Sequence, residues 1–208
     1  MKRFPWAIVL AAGNSRRFGG DKLKADLGGE PLIGRVFAAL RESRRRQDIA
    51  GAVTVIRAED RKLAELAGDG VETRSLPWDA TVELATSLRA GLAALEEPGR
   101  VPAAGAALIC LADQPGLSPE VIAALVDGWR RDLAPVVRPR YTEAPEVPGH
   151  PLLIDRSFWH LAAEAMGDAG FGPVLARRPG LVRTIDVPGR NPDVDTPADL
   201  ADFLRSPR

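Results

Sequence analysis

The chain has 208 residues, 45% of them apolar and 27% charged, with 28 Lys plus Arg matched by 28 Asp plus Glu. That length suits one well-buried domain, and the balanced charge excludes a global field that would draw nucleic acid or an anionic membrane, so any anion must be held by local positive potential. One cysteine, Cys110, and two histidines leave neither an internal disulfide nor a zinc-ligand cluster, which fits a reducing cytoplasm, and no apolar stretch reaches the length of a membrane span.

Met1-Lys2-Arg3 precedes an apolar run as in a signal peptide, but the run is short and its small-residue end, Ala11-Ala12-Gly13, merges into a charged loop. Trp6 to Ala12 therefore reads as a buried first strand that stops where Gly13 forces a turn. The loop that follows carries Ser15, Arg16, Arg17, Gly19, Gly20, Lys22 and Lys24. Glycines let backbone N–H groups come close to a ligand, and fixed cations beside them offer charge to small anionic oxygens. The combination suits a polyphosphate. Its spacing is neither G-x-x-x-x-G-K-[ST] nor G-x-G-x-x-G, and taken alone a strand followed by a solvated basic turn explains it as well.

Gly28-Gly29-Glu30-Pro31 reads as a turn into a helix with Leu32, Ile33, Val36, Phe37 and Leu40 on its inner face. The Arg44-Arg45-Arg46 run then decorates the solvated C-terminus of that helix and complements its dipole. Ala52 to Arg57 reads as a strand, Glu59 to Ala67 as a helix, Gly68-Asp69-Gly70 as a turn and Val71 to Ser75 as a short third strand. This alternation predicts a mainly parallel sheet covered by helices on both faces. The polar segment Thr81-Val82-Glu83 introduces a helix over Leu84 to Leu95, in which Ser87 taken alone is merely a helical serine.

Ala106 to Ala112 is the most continuously apolar stretch, a central strand that ends at Asp113-Gln114-Pro115. A carboxylate at the C-terminal edge of a parallel strand sits where open α/β sheets bind ligands, and its hard oxygens suit magnesium. Asp113 would equally well open the turn before the helix from Ser118 to Arg130. Pro135 to Arg138 is a short strand, and the next region, to Pro151, holds too many prolines for regular structure and reads as a loop. It closes on Gly149-His150-Pro151. His150 invites an acid/base role, but a histidine in such a loop is more simply a hydrogen-bonding structural residue. Asp155 to Ala165 is expected to be helical, Gly167 to Gly170 a turn, and Leu181 to Val187 a late strand. Near the end Thr196 is placed to cap a helix, with Pro197 at its first position and Asp199 at its third. Capping does not explain Asp193 and Asp195, two residues apart, which an extended chain would aim the same way.

Residues 10 to 22 spell L-A-A-G-x-S-x-R-x-G-x-x-K, which resembles the signature loop of the MobA-like nucleotidyltransferases, relatives of the sugar-nucleotide pyrophosphorylases. Four further elements follow in the family's order: S-L-x-x-G-L at Ser87, L-A-D-x-P at Leu111, G-H-P at Gly149 and D-x-D-T-P-x-D-L at Asp193. The resemblance implies a single domain over residues 1–208, with the three-layer α/β/α Rossmann-like fold of the nucleotide-diphospho-sugar transferases. It also implies that Leu10, Ala11, Ala12, Gly13, Ser15, Arg17 and Lys22 wrap the triphosphate of an NTP, and that Ser87 lies near the base. By the same resemblance Asp113 holds the catalytic Mg²⁺, Asp193 and Asp195 complete the metal site, and Gly149 and His150 are substrate-binding candidates. One departure stands out: Gly172 occupies the place where many relatives have arginine in G-D-x-G-a-R-x-x-L.

Attack on an NTP α-phosphate needs magnesium to gather phosphate oxygens, cations to neutralise the leaving pyrophosphate and an oriented nucleophile. Arg17, Lys22 and Asp113 are the catalytic candidates for that chemistry. L-A-A-G together with G-H-P and D-x-D-T-P resembles the branch containing molybdenum cofactor cytidylyltransferase, which implies CTP as donor, molybdopterin as acceptor and a molybdoenzyme as eventual partner. Three alternatives stay open: a sugar or polyol phosphate acceptor, a non-catalytic protein that binds and delivers molybdenum cofactor, and an NADPH-using oxidoreductase. The last lacks the acidic residue expected after a proper dinucleotide fingerprint.

Overall fold

The computed structural model describes residues 4–13, 15, 17–76, 83–99, 102–132 and 134–205. The expectations placed on Met1-Lys2-Arg3, Arg16 and Thr81-Val82 lie outside the described residues. One sheet holds strands β1 (Phe4–Leu10), β2 (Ala52–Arg57), β3 (Val71–Leu76), β4 (Ala104–Leu111), β5 (Val136–Tyr141), β6 (Leu152–Asp155) and β7 (Val182–Val187), in the order β3-β2-β1-β4-β6-β5-β7. Strands β1 to β4 pair in parallel and so do β5 and β7, while β6 runs antiparallel between β4 and β5. The mainly parallel α/β sheet is as expected.

The helices are α1 (Leu32–Arg45), α2 (Arg61–Ala67), α3 (Leu84–Leu95), α4 (Pro119–Asp132), α5 (Gly172–Ala176) and α6 (Pro197–Arg205). Successive side chains of a strand point to opposite faces, so a strand covered on both sides has no polar position. In β1, Ala7 and Val9 meet the buried faces of α1 and α4, where Phe37 and Trp129 are the largest side chains. Trp6, Ile8 and Leu10 meet α3, α5 and a 3₁₀ segment over Arg156–Glu164 on the other face. At Gly91 a Cβ would stand 2.4 Å from Ile8 Cγ2, so α3 reaches β1 only because that position has no side chain. Among the described residues no helix is long and apolar enough to cross a membrane.

Three details differ from the sequence reading. The first strand ends at Leu10, because Ala11 and Ala112 make the last rungs, donating to Val55 O and Leu10 O, before the chain leaves the sheet. The segment from Arg138 to Pro151 is not all loop, since β5 continues through Pro139 to Tyr141. Strand β6 pairs with Val136 and Val137 of β5, so beyond them the ladder on that side stops, and a residue without an N–H costs little there. Residues 152 to 155 form the antiparallel strand β6, too short to show a period, and residues 156 to 164 wind as 3₁₀ rather than α-helix.

Candidate active site

The register of β1 and β4 sets Leu10 beside Leu111, so the loop after β1 and Asp113 after β4 leave the sheet at one edge. Strand β2 lies on one side of β1 and β4 on the other, so a crevice opens at this switch point. In the loop Ser15 and Gly19 take left-handed backbone, at φ 47° and 72°, and bend the chain back toward the sheet. A 3₁₀ turn over Lys22–Lys24 buries Leu23, and this turns Lys22 inward until it is only 7% exposed. Lys24 faces elsewhere. Its Nζ lies 2.6 Å from both Asp21 and Asp60, and Asp60 caps α2, so Lys24 pins the base of the loop.

The Nζ of Lys22 donates to Asp113 Oδ2 at 2.7 Å and to Asp195 Oδ1 at 2.9 Å. Arg17 Nη1 lies 2.9 Å from the other oxygen of Asp195. Burial alone would lower the pKa of Lys22, but the charges and hydrogen bonds of Asp113 and Asp195 outweigh it and hold the ammonium above its usual range. Residues from the first loop, the end of β4 and the start of α6 thus meet at one point.

Asp193 and Asp195 do not turn to the same partner. Asp193 Oδ1 accepts from Gln114 Nε2 at 2.9 Å, whereas Asp195 faces the two cations. Asp199 sets the second geometry: its Oδ2 accepts from the backbone N–H of Asp195 and Thr196 and from Thr196 Oγ1, while the Asp199 N–H donates back to that hydroxyl. The capping expected of Thr196, Pro197 and Asp199 is present, and it also orients Asp195. Gln114, quoted in a motif but given no role by the sequence reading, is the hub of the first geometry. Asn191 Nδ2 donates to Gln114 Oε1 and to the carbonyl of His150, which also accepts from Tyr141 Oη. Val194 N–H donates to Asp113 O at 2.9 Å, which closes this edge.

Beside this cluster lies a cavity of about 750 Å³, walled mainly by Leu10, Leu88, Ile109, Leu111, Leu152 and Phe171. Ser87 is buried next to Leu88 and is not part of the wall. His150 lines it, while Gly149 is buried, its carbonyl accepting from Arg138 Nη2 at 3.1 Å. Burial and the charge of Arg138 pull the His150 imidazole down to about 4, against a smaller opposing pull from Asp113, so the ring is neutral near pH 7. It is a weak base there, in keeping with a structural role for this histidine. Gly172 also lines the cavity, and a Cβ on it would meet nothing within 4 Å. Arg138, hidden to sequence reading inside the proline-rich segment, projects into the same space.

The donor set can be tested for magnesium. Among the described residues no group of three or more Asp, Glu, His or Cys side chains could hold a metal by itself. Asp113 and Asp195 nevertheless converge on a single cation, and Mg²⁺ usually takes one or two carboxylates and completes its shell with water and substrate phosphates. The pair fits that pattern.

The family model for the MobA-like NTP transferase domain matches residues 7–182. The bifunctional enzyme IspD/IspF of Rhodospirillum rubrum is 32% identical over 134 residues, 57% of this chain and 34% of that protein, so the match spans about a third of the curated relative's length. Rv0371c from Mycobacterium tuberculosis H37Rv superposes with a TM-score of 0.80 at 24% identity, over 99% of this chain and 100% of that one. Its manganese complex gives 0.75 at 23%, over 98% and 99%. A homolog of Rv0371c from Mycobacterium sp. strain JC1 gives 0.77 at 28% identity, over 96% and 94%.

Proposed function

The chain belongs to the MobA-like NTP transferase domain family, and from that premise we propose that it is a Mg²⁺-dependent cytidylyltransferase that joins CMP from CTP to molybdopterin and releases pyrophosphate. The observation that carries the reading is Lys22 of the glycine loop meeting Asp113 and Asp195 at the C-terminal edge of the sheet. Lys22 and Arg17 offer positive charge to the β- and γ-phosphates, where charge grows as pyrophosphate leaves. Backbone of Leu10 to Gly13 and Ser15 borders the triphosphate, and Ser87 supports the wall near the base. Asp113 and Asp195 are the ligands for magnesium, with Asp193 held behind them by Gln114. When bound, the ion gathers phosphate oxygens and raises the electrophilicity of the α-phosphorus. No protein base is required if the attacking group is an ionised phosphate of the acceptor, which agrees with a neutral, weakly basic His150.

Capture of a relative's structure with manganese supports a divalent ion. The L-A-A-G loop followed by G-H-P supports CTP. Thermal unfolding with CTP, GTP, UTP or ATP, each with and without Mg²⁺, tests the donor, since a ligand that binds only the native state raises the melting temperature. A shift confined to CTP with Mg²⁺ is expected. A larger shift with GTP would move the donor, and no shift with any nucleotide would leave a delivery role as the better account.

A further inference from the structure

The guanidinium of Arg138 is the one strong charge on the cavity wall that no described residue neutralises. It lies on β5 with its Nε buried and, among the described residues, without a hydrogen-bond partner; the one hydrogen bond it makes to a described residue runs from Nη2 to the Gly149 carbonyl at 3.1 Å. No carboxylate among the described residues comes within ion-pair distance of it. The other ionic group on the wall, Asp168, is engaged: its Oδ1 accepts the backbone N–H of Leu84 at the start of α3. Thr184 is the register partner of Arg138 on β7 and lines the same cavity, so a hydroxyl stands beside the guanidinium.

A buried donor left unmatched costs free energy that a ligand's acceptor atom would recover, and a guanidinium matches a phosphate with two parallel hydrogen bonds. We propose that Arg138, with Thr184, binds the phosphate of the acceptor, and that this acceptor is a phosphomonoester with a flat or apolar body rather than a polyol. The second half follows from the walls. Beyond the Leu10 and Leu88 side that borders the nucleotide, Ile109, Leu111, Leu152 and Phe171 offer no partners for a row of hydroxyls, and each hydroxyl taken out of water unmatched opposes binding. A flat or apolar body removes its own surface from water instead, and about 750 Å³ accommodates a body of drug-like size. Open space at Gly172 leaves room for that body. Leu111, which ends β4 two residues before Asp113, lines the same cavity as Arg138, which puts the anchored phosphate on the side of the reacting centre. The ligand's role as acceptor rests on the nucleotidyl-transfer reading; its chemistry does not.

The test is calorimetric binding of 1-naphthyl phosphate, 1-naphthol and glycerol 3-phosphate to the full chain, in wild type, Arg138→Leu and Arg138→Lys. In wild type, 1-naphthyl phosphate is expected to bind about tenfold or more tightly than either other probe. Arg138→Leu should lose its advantage over 1-naphthol while 1-naphthol binding persists, and Arg138→Lys should keep part of it. Equal affinity for the phosphate and the alcohol in wild type, an undiminished preference in Arg138→Leu, or equally tight glycerol 3-phosphate would overturn the proposal. Should Arg138→Leu fail to fold, Arg138→Gln carries the same comparison. Melting shifts with CTP and Mg²⁺ on the same samples separate the two readings: their absence beside intact, Arg138-dependent naphthyl phosphate binding would sink nucleotidyl transfer and leave the anion subsite standing.

Discussion

Lys22 Nζ stands 2.7 Å from Asp113 Oδ2, a contact between residues 91 positions apart that also takes in Asp195 at 2.9 Å. The ammonium lies where a divalent ion would need to sit to touch both carboxylates. On the proposed function, lysine and metal would compete for one position, and a triphosphate that draws the ammonium toward its own oxygens would free the pair.

Replacing Lys22 with Met should accordingly have two effects of opposite sense. Mn²⁺ affinity without nucleotide, read from the free-ion resonance in electron paramagnetic spectra, should rise on the order of tenfold as the competing charge is lost. Nucleotidyl transfer should fall about a hundredfold or more, because the leaving pyrophosphate loses its buried cation. Weaker Mn²⁺ binding in Lys22→Met would refute the rivalry.

His150 makes stability depend on pH. Its folded pKa of about 4 lies below the unfolded value of 6.5, because of burial and then Arg138, so the unfolded chain takes up the proton first. The contribution is complete above about pH 6.5 and is lost as pH falls toward about 4. Urea midpoints between those limits should fall less steeply in His150→Gln than in wild type. Parallel profiles would show that the ring is not held neutral.

The Thr196–Asp199 pair should act on both stability and chemistry. Thr196→Ala removes an N-cap and should cost about 1 kcal/mol, a drop of roughly 2–4 °C in melting temperature for a chain of this size. Asp199→Ala should in addition lower turnover at saturating nucleotide, since the Asp195 N–H loses the carboxylate that orients it. A turnover unchanged in Asp199→Ala would make the motif a cap and nothing more.

Gly91→Ala tests the packing that positions α3. The added methyl would meet Ile8 Cγ2 at 2.4 Å inside a fully buried layer, so either the strand or the helix must move. A loss of about 1–3 kcal/mol in denaturant unfolding is expected. A stability equal to wild type would mean that α3 and β1 are more loosely apposed.

Most of the sheet was legible because its strands carry uninterrupted apolar runs and its helices a clear inner face; β2 and α3 fall on the residues that periodicity marked. The loop, Asp113 and the capped acidic segment were legible because each is a local spacing. What sequence could not supply is which side chain a carboxylate meets. Asp193 and Asp195 look equivalent in an extended chain, and only tertiary contacts send one to Gln114 and the other to Lys22. Strand β6 escaped because four residues are too few to show a period. Arg138 escaped because its significance lies in the partners it lacks, which no spacing records.

The most direct test of the central claim is release of pyrophosphate from CTP, with Mg²⁺ and molybdopterin, by wild type and by Asp113→Asn. Cytidylyl transfer through this site requires rapid release in wild type that depends on both metal and acceptor, and a rate at least about a hundredfold lower in a folded Asp113→Asn. Release at the wild-type rate by Asp113→Asn, or none by either protein, would contradict it.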